Sequence, residues 1–225
     1  MNKLNHVAFI MDGNGRWGKN KNKSRNFGHL KGVETVEKIV KASLKLRIPM
    51  ITFYVFSTEN WRRPKTEIRF LFNLIGSYFK KEIKNVIKNG IKINVLGNTK
   101  PLPKDVKNIL NDTLKRTKKN KKLIVNLALN YGSKNEIKNS FIKIVKNKQN
   151  FTLKNISKNF YTKNLPDPDI LIRTGGKKRL SNFMLWQLAY SELYFLDKLW
   201  PDFNEKDLKK VINNYKLIKR NFGGI

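Results

Sequence analysis

The chain has 225 residues, of which 40% are hydrophobic and 11% aromatic, a composition typical of a folded domain and not of a disordered segment. It contains no cysteine, which excludes disulfides, thiolate metal sites and cysteine nucleophiles and fits a reducing, cytoplasmic setting. Lysine and arginine together number 48 against 16 acidic residues, so the formal net charge is +32. A charge of this size attracts diphosphates, anionic lipid surfaces and nucleic acids alike.

The positive charge is distributed over the whole chain, and its densest run, residues 115–122, lies where a helix is expected to end. This run lacks the interleaved aromatic residues on which single-stranded nucleic acids stack. We therefore interpret the charge as a lysine-rich surface and expect no nucleic-acid partner, with nucleic-acid binding as the alternative. The first apolar run, residues 7–11, is too short for a signal peptide, and no apolar stretch approaches the roughly 18 residues of a membrane span. We expect a soluble protein, cytoplasmic or loosely attached to a membrane.

Five runs of β-branched and aromatic residues are predicted to form strands, and they occupy residues 6–11, 50–56, 91–96, 123–130 and 169–173. Helical patterns lie between them, at residues 28–46, 66–89 and 103–119. This alternation predicts an α/β fold with a central, mostly parallel sheet flanked by helices. No repeat or linker divides the chain, so a single domain over residues 1–225 is expected.

The predicted helix at residues 66–89 carries a broad apolar face, made of Ile68, Leu71, Phe72, Ile75, Phe79 and Ile83. One interpretation is that this face packs on the sheet. The other is that it forms the wall of a hydrophobic tunnel for a lipid chain. The spacing of the residues fits both interpretations.

Polar and charged side chains follow three of the predicted strands. The first strand runs into the glycine-rich turn D-G-N-G-R, which begins at Asp12, and the second ends in S-T-E-N-W-R-R at residues 57–63. The fifth delivers Arg173 to a T-G-G turn, followed by Arg179 and Ser181 ahead of a predicted helix. Because the carboxyl ends of parallel strands share one edge of a sheet, we expect these groups to meet. Guanidinium, hydroxyl and backbone N–H groups bind phosphate oxygens, so the pattern indicates a site for two phosphate groups, although the glycine turn alone would also fit an ordinary turn.

Seven segments extend this pattern over nearly the whole chain: H-V-A-F-I-M-D-G-N-G-R-W, F-G-H, F-S-T-E-N-W-R-R-P, N-Y-G-S, D-I-L-I-R-T-G-G, R-L-S-N-F-M-L-W-Q and Y-S-E-L-Y-F. In this order, from about residue 6 to Gly224, they closely resemble the cis-prenyltransferases, the family of undecaprenyl diphosphate synthase and other isoprenyl transferases. The paired D-D-x-x-D motifs of the all-helical trans-prenyltransferases are missing.

The resemblance implies an enzyme that depends on Mg²⁺ and condenses isopentenyl diphosphate onto an allylic diphosphate, with farnesyl diphosphate as the default primer. The implied product is a long-chain polyprenyl diphosphate such as undecaprenyl diphosphate, the lipid-carrier precursor for cell-wall synthesis. The family also implies a homodimer and a hydrophobic tunnel for the growing chain. Peripheral contact with a membrane would serve product release.

The resemblance also implies roles for individual residues. Asp12 and Asn60 correspond to the catalytic residues, Asp12 by working with Mg²⁺ and Asn60 in proton removal or its relay. An amide is a poor base, so we interpret Asn60 as an orienting group, with diphosphate or His29 as the proton carrier. Glu192 corresponds to a second metal ligand that approaches from the partner subunit. The implied substrate-binding residues are Gly13, Asn14, Gly15, Arg16, Trp17, Arg25, His29, Ser57, Thr58, Glu59, Trp61, Arg63, Arg173, Arg179, Leu180 and Ser181.

The sequence departs from the family pattern after Gly176, where many members carry glutamate and this chain has Lys177 followed by Lys178. The reversal of charge bears on magnesium handling or on subunit contacts next to the implied isopentenyl diphosphate site. A non-catalytic partner subunit is a further alternative, which the intact Asp12 turn disfavours. Neither the product length nor the primer follows from the residues alone.

Overall fold

The computed structural model describes residues 2–220, so the family-like ending at residues 222–224 lies outside the described part of the chain. One sheet contains six strands: β1 (His6–Ile10), β2 (Met50–Ser57), β3 (Ile91–Leu96), β4 (Leu123–Tyr131), β5 (Ile170–Arg173) and β6 (Glu192–Phe195). Their order is β3-β4-β2-β1-β5-β6, and every neighbouring pair is parallel. The five predicted strands are confirmed. The sixth was missed because β6 is a single four-residue run at the sheet edge.

Seven α-helices surround the sheet in the described residues: α1 (Asn14–Asn20), α2 (Arg25–Lys45), α3 (Lys65–Lys88), α4 (Lys104–Thr117), α5 (Ser133–Lys146), α6 (Leu153–Lys158) and α7 (Glu205–Leu217). Short 3-10 helices lie at Thr58–Arg62 and Trp200–Asp202. The three predicted helices correspond to α2, α3 and α4. The helix predicted after Ser181 is wrong, since residues 181–190 form successive turns. Ser181, Asn182 and Met184 have φ angles of 50°, 62° and 45°, which a right-handed helix excludes.

An aromatic cluster supports the end of β1 from the side of α2. Phe9 stacks on Phe53 at a centroid distance of 5.1 Å, and Trp200 stacks on Phe203 at 5.5 Å. All four are at most 1% exposed, and burial of each such side chain stabilises the fold by about 2–3 kcal/mol. The indole of Trp200 donates to the carbonyl of Gly32 at 2.9 Å, which fixes α2 against this cluster.

The apolar face of α3 divides between the two predicted roles. Phe72, Phe79 and Ile83 are buried, in agreement with packing on the sheet. Leu71 and Ile75 are half-buried and line an apolar cavity between α2, α3 and the sheet. Packing on the sheet is confirmed for the buried residues, and the role of the cavity as a lipid tunnel stays a prediction.

Exposed apolar side chains are concentrated on α5, α6 and their connection, which we call the α5–α6 patch: Phe141, Ile142, Val145, Phe151 and Leu153. Ile142, Val145, Phe151 and Leu153 are between 56% and 71% exposed. The rings of Phe141 and Phe151 stack on each other at 5.8 Å. None of the helices in residues 2–220 combines the length and the hydropathy that crossing a membrane requires.

Candidate active site

The predicted polar residues meet where the strand order reverses. β1 lies between β2 on one side and β5 on the other, and open α/β sheets bind ligands in the crevice outside the carboxyl ends of strands at such a point. Here the crevice is a cleft of about 610 Å³. It is lined from the strand ends by Asp12, Ser57, Glu59, Asn60, Arg63, Arg173, Arg179 and Ser181.

Asp12 is the best-anchored residue of this cleft. Its backbone carbonyl accepts hydrogen bonds from Thr174 Oγ1 at 2.8 Å and Trp200 N at 3.1 Å. Its Oδ2 accepts from Arg173 Nη2 at 2.8 Å, and its Oδ1 lies 3.3 Å from Arg16 Nη2. The Asp12 side chain is 29% exposed and the Arg173 side chain only 4%, so a partly exposed carboxylate is paired with a buried guanidinium group. Each carboxylate oxygen keeps a second lone pair for another ligand.

The glycine-rich turn brings backbone and guanidinium groups close to Asp12. Gly13 has a φ of 112°, and a Cβ on it would lie 2.8 Å from a methyl group of Leu199. Gly175 has a φ of 89°, and its carbonyl accepts from Arg16 Nη2 at 2.7 Å. The turn, with Arg25 and Arg63, encloses a recess of about 140 Å³ beside the cleft. Cationic side chains and N–H groups around a small recess suit a diphosphate.

Arg173 organises the opposite wall of the cleft. Its Nη1 donates to Ser181 Oγ at 2.8 Å and to the carbonyl of Arg179. The hydroxyl of Tyr54 donates to the carbonyl of Ser181 at 3.3 Å, which holds the same loop from β2. Arg173 Nε is buried with no hydrogen-bond partner. Three predicted residues therefore lie together, with Arg179 exposed and free to reach an anion.

Glu67 on the first turn of α3 joins three predicted residues and was not itself predicted. Its carboxylate lies 3.3 Å from Arg25 Nη2, 3.3 Å from His29 Nε2 and 3.2 Å from Arg63 Nη1. Burial alone would raise the pKa of Glu67, but the hydrogen bond and charge of Arg25, with Arg63 and His29, hold it below the ordinary value. Its spacing of four residues from Arg63 is the sequence signal that could have identified it.

The surroundings of His29 favour its neutral form. Burial lowers its pKa below 6.5, and the charge of Arg63 lowers it further, while Glu67 acts in the opposite direction. The imidazole is 10% exposed and contacts both the cleft and the recess. A neutral ring at this position can accept a proton.

Asn60 is held by a capping box at the end of β2. Its Oδ1 accepts from Ser57 N at 3.1 Å, while the Ser57 side chain accepts from the backbone at Asn60. The oxygen is thereby committed to the backbone, and the NH₂ group of the amide is left for a ligand in the cleft. This geometry agrees with an orienting role and disfavours a role as base.

An apolar cavity of about 110 Å³ lies between α2, α3 and the sheet. Val55 and Leu71 line both this cavity and the cleft, so the two adjoin. Further in, the walls are aliphatic and aromatic and include Ile75, Tyr78 and Phe79. The molecule thus combines a cationic cleft with an adjoining apolar compartment, as an amphiphilic diphosphate requires.

Five predicted residues lie outside the cleft and recess. Trp17 stacks on Phe27 at 6.0 Å, and its indole donates to Asp202 at 2.7 Å. The other four are Thr58 and Trp61, which line a neighbouring polar cleft, Leu180, which packs against the core, and Glu192, at the start of β6.

Glu192 is separated from Asp12 within one chain. It pairs with Ile170, which pairs with Val7, so Glu192 lies five residues before Asp12 along the strand direction. That offset corresponds to about 16 Å. A single chain therefore does not bring the two carboxylates together.

The donor set at Asp12 suits Mg²⁺. No group of three or more His, Cys, Asp or Glu side chains able to hold a metal occurs in residues 2–220. Mg²⁺ commonly takes only one or two carboxylates and completes its shell with substrate phosphates and water. Asp12, partly exposed between the recess and the arginine wall, is placed for such a shared site.

Comparisons with known proteins agree with this chemistry. A family model described as putative undecaprenyl diphosphate synthase matches residues 10–223. The isoprenyl transferase of Fusobacterium nucleatum is 44% identical over 221 residues, covering 98% of this chain and 96% of that protein. The ditrans,polycis-undecaprenyl-diphosphate synthase ((2E,6E)-farnesyl-diphosphate specific) of Buchnera aphidicola is 45% identical over 229 residues, covering 99% and 92%.

Two solved structures share the fold over almost their whole length. Lavandulyl diphosphate synthase from Lavandula x intermedia, in complex with dimethylallyl diphosphate, has a TM-score of 0.92 at 30% identity, covering 97% of this chain and 98% of that one. A probable undecaprenyl diphosphate synthase from Campylobacter jejuni has a TM-score of 0.85 at 32% identity, covering 99% and 100%. The chain therefore belongs to the undecaprenyl diphosphate synthase family and is a prenyltransferase of the isoprenyl transferase type.

Proposed function

We propose that the protein elongates farnesyl diphosphate with isopentenyl diphosphate, in the presence of Mg²⁺, to a long-chain polyprenyl diphosphate such as undecaprenyl diphosphate. The observation that carries the proposal is Asp12, held between two anion-binding surfaces that meet beside an apolar cavity. The farnesyl-diphosphate specificity named for the Buchnera relative supports this choice of primer.

The two surfaces divide the substrates between them. The recess formed by residues 13–16, Arg25 and Arg63 binds the allylic diphosphate, and its prenyl tail enters the apolar cavity past Val55. Arg173, with Arg179 and Ser181, binds isopentenyl diphosphate. The reacting carbons then meet in the cleft, above the carboxyl ends of β1 and β2.

Ionisation of the allylic diphosphate is the step that the charged groups accelerate. The C–O bond breaks, negative charge builds on the departing diphosphate, and arginines fixed in advance stabilise that charge more than they stabilise the bound substrate. A magnesium ion shared by Asp12 and the diphosphate would neutralise part of the same charge. The double bond of isopentenyl diphosphate attacks the allylic carbon, and the new C–C bond leaves a cation that loses one proton.

The proton has two acceptors in the cleft. The released diphosphate is one, and neutral His29 is the other. Asn60 orients the isopentenyl group through its NH₂ group and leaves proton transfer to these acceptors. The apolar cavity shields the cationic intermediate and the tail from water.

The cavity limits how far the product can grow. Its walls come from α2, α3 and the sheet, and the side chains that line it away from the cleft set the point at which growth stops. Ile75 and Tyr78 lie there.

The protein is proposed to act as a cytoplasmic homodimer. The α5–α6 patch and the edge strand β6 give the apolar surface that a second copy would cover, and Leu193 of β6 is 43% exposed. A partner could then supply Glu192 to the metal site, which one chain alone does not achieve. The lysine-rich surface favours transient contact with anionic lipids during product release.

Incorporation of radiolabelled isopentenyl diphosphate onto farnesyl diphosphate tests the proposal, with Mg²⁺ in one arm and EDTA in the other. We expect polyprenyl products that require Mg²⁺, and a loss of at least about 100-fold in Asp12→Ala. The lengths of the products are read from the same samples. Folded wild-type protein that incorporates nothing with dimethylallyl, geranyl or farnesyl primers would contradict the proposal and favour a partner-subunit or nucleic-acid-binding role.

A further inference from the structure

Asn182 connects three parts of the cleft wall. Its Nδ2 donates to Glu59 Oε1 at 2.7 Å, and its Oδ1 accepts from Lys134 N at 2.9 Å. Its carbonyl accepts from Ser133 N at 2.8 Å. Glu59 follows β2, whereas the other two partners begin α5. The residue after Ser181 therefore ties the end of β2 to the end of β4.

The N-Y-G-S segment makes room for this connection. A Cβ on Gly132 would lie 2.5 Å from Thr58 Oγ1 and 2.8 Å from Asn182 Nδ2. Both distances are shorter than contacts that real side chains make, so a side chain at this position would displace Thr58 or Asn182 from the contact. The active-site chemistry gives this segment no role, and its glycine serves the Asn182 contact.

The backbone of Asn182 also favours asparagine. Its φ is 62°, in the left-handed region, where the short polar side chains of asparagine and aspartate are tolerated at low cost. The amide uses its oxygen and its NH₂ group in opposite directions, toward α5 and toward Glu59. That division fixes which way the amide points.

The contact with Asn182 favours the ionised form of Glu59. Burial alone would raise the pKa of Glu59, but the hydrogen bond from Asn182, the backbone N–H of Glu59 and the hydroxyls of Ser57 and Thr58 hold it below the ordinary value. Glu59 and Asn182 both line the cleft that contains Arg173 and Arg179. A fixed negative charge thus faces the anion-binding wall.

We propose that Asn182 is a positioning residue that holds the Glu59 carboxylate in place, so that isopentenyl diphosphate binds with its diphosphate toward Arg173 and Arg179 and its hydrocarbon end away from them. The carboxylate repels the diphosphate and sets its orientation, and the amide keeps the carboxylate from turning into solvent. That isopentenyl diphosphate is the ligand rests on the proposed function.

Asn182→Asp separates this role from a structural one. Aspartate keeps the left-handed backbone and the oxygen that accepts from Lys134 N, but it replaces the donor to Glu59 with a second negative charge. We expect the KM for isopentenyl diphosphate to rise about 10- to 100-fold, with the KM for farnesyl diphosphate within threefold of wild type. Calorimetric titration with isopentenyl diphosphate alone should show the same loss of affinity. Asn89→Asp, at an exposed asparagine where α3 ends, is the matched control.

A double-mutant cycle with Glu59→Gln gives the decisive comparison. The neutral variant Asn182→Gly should weaken isopentenyl diphosphate binding about 10-fold when Glu59 is present and less than threefold in the Glu59→Gln background, because no carboxylate is then left to position. Wild-type affinity in Asn182→Gly, or equal losses in both backgrounds, would overturn the proposal. Failure of the proposed function is distinguishable, because wild-type protein would then neither bind isopentenyl diphosphate nor incorporate it.

Discussion

Glu67→Gln is the substitution that best tests how the allylic recess works. Glu67 lines neither the cleft nor the recess, yet it holds Arg25, His29 and Arg63 in place. Glutamine keeps the shape and one acceptor oxygen and removes the negative charge. The released arginines would make the recess more positive but less ordered, so the substitution separates attraction of the substrate from stabilisation of the transition state.

The size of the effect follows from the exposure of each partner. The side chain of His29 is only 10% exposed, so its hydrogen bond to the charged Glu67 carboxylate is buried. The side chains of Arg63 and Arg25 are 33% and 48% exposed, so solvent screens their ion pairs with Glu67. Together the three contacts contribute about 3 kcal/mol, of which one acceptor oxygen in glutamine retains roughly a third. The part of this loss that falls on the transition state slows ionisation, and the full 2 kcal/mol would correspond to about 30-fold.

Steady-state kinetics with saturating isopentenyl diphosphate measure this effect. We expect kcat to fall by up to about 30-fold while the KM for farnesyl diphosphate changes by less than threefold. Glu34→Gln, which removes an exposed i,i+3 ion pair with Lys31 on α2, is the control and should leave both values unchanged. A wild-type kcat in Glu67→Gln would refute the view that the arginines must be fixed in advance.

Three further substitutions test other parts of the structure. Arg173→Gln removes a buried cation from the partly exposed Asp12, which keeps Arg16 as a partner, so we expect a loss of about 2–3 kcal/mol in unfolding free energy or in isopentenyl diphosphate use. Denaturant titration and kcat/KM measure the two effects, and changes below about 0.5 kcal/mol in both would be inconsistent with the pair. Ile75→Trp fills the apolar cavity and should shorten the products on thin-layer analysis, whereas Ile87→Trp, outside the cavity, should not; unchanged lengths would place the growing chain elsewhere. Burial lowers the pKa of His6 to about 4, so between about pH 6.5 and 4 the unfolded chain binds one proton that the folded chain does not. The free energy of unfolding should therefore decrease by up to about 3 kcal/mol as the pH is lowered from 6.5 to 4. His6→Asn should remove this part of the pH dependence in urea titrations, and an unaltered slope would count against a buried neutral imidazole.

The sheet and the position of the site were predictable from sequence because both depend on local patterns. Continuous apolar runs identify strands that are buried on both faces, and β1 is buried at all five positions. Polar groups that follow such strands must meet at one edge of the sheet, which placed Asp12 and Arg173 together. The same patterns gave the bounds of α2, α3 and α4 to within three residues.

Other features depend on contacts that no local pattern reveals. The segment after Ser181 has a helix-compatible composition, but contacts with Ser133 and Lys134 hold it in turns with positive φ. Glu67 and Asn182 act on residues 42 and 123 positions away in the chain. Trp17 bonds to Asp202 instead of lining the cavity, a partner that only the folded chain supplies.

A crystal structure with isopentenyl diphosphate, Mg²⁺ and a non-ionising analogue of farnesyl diphosphate would show where each substrate binds. We expect the isopentenyl diphosphate on Arg173, Arg179 and Ser181, the other diphosphate at the turn after Asp12, and the farnesyl tail between α2 and α3. Ligands bound in the neighbouring polar cleft at Trp61, or a tail directed away from α3, would contradict this arrangement.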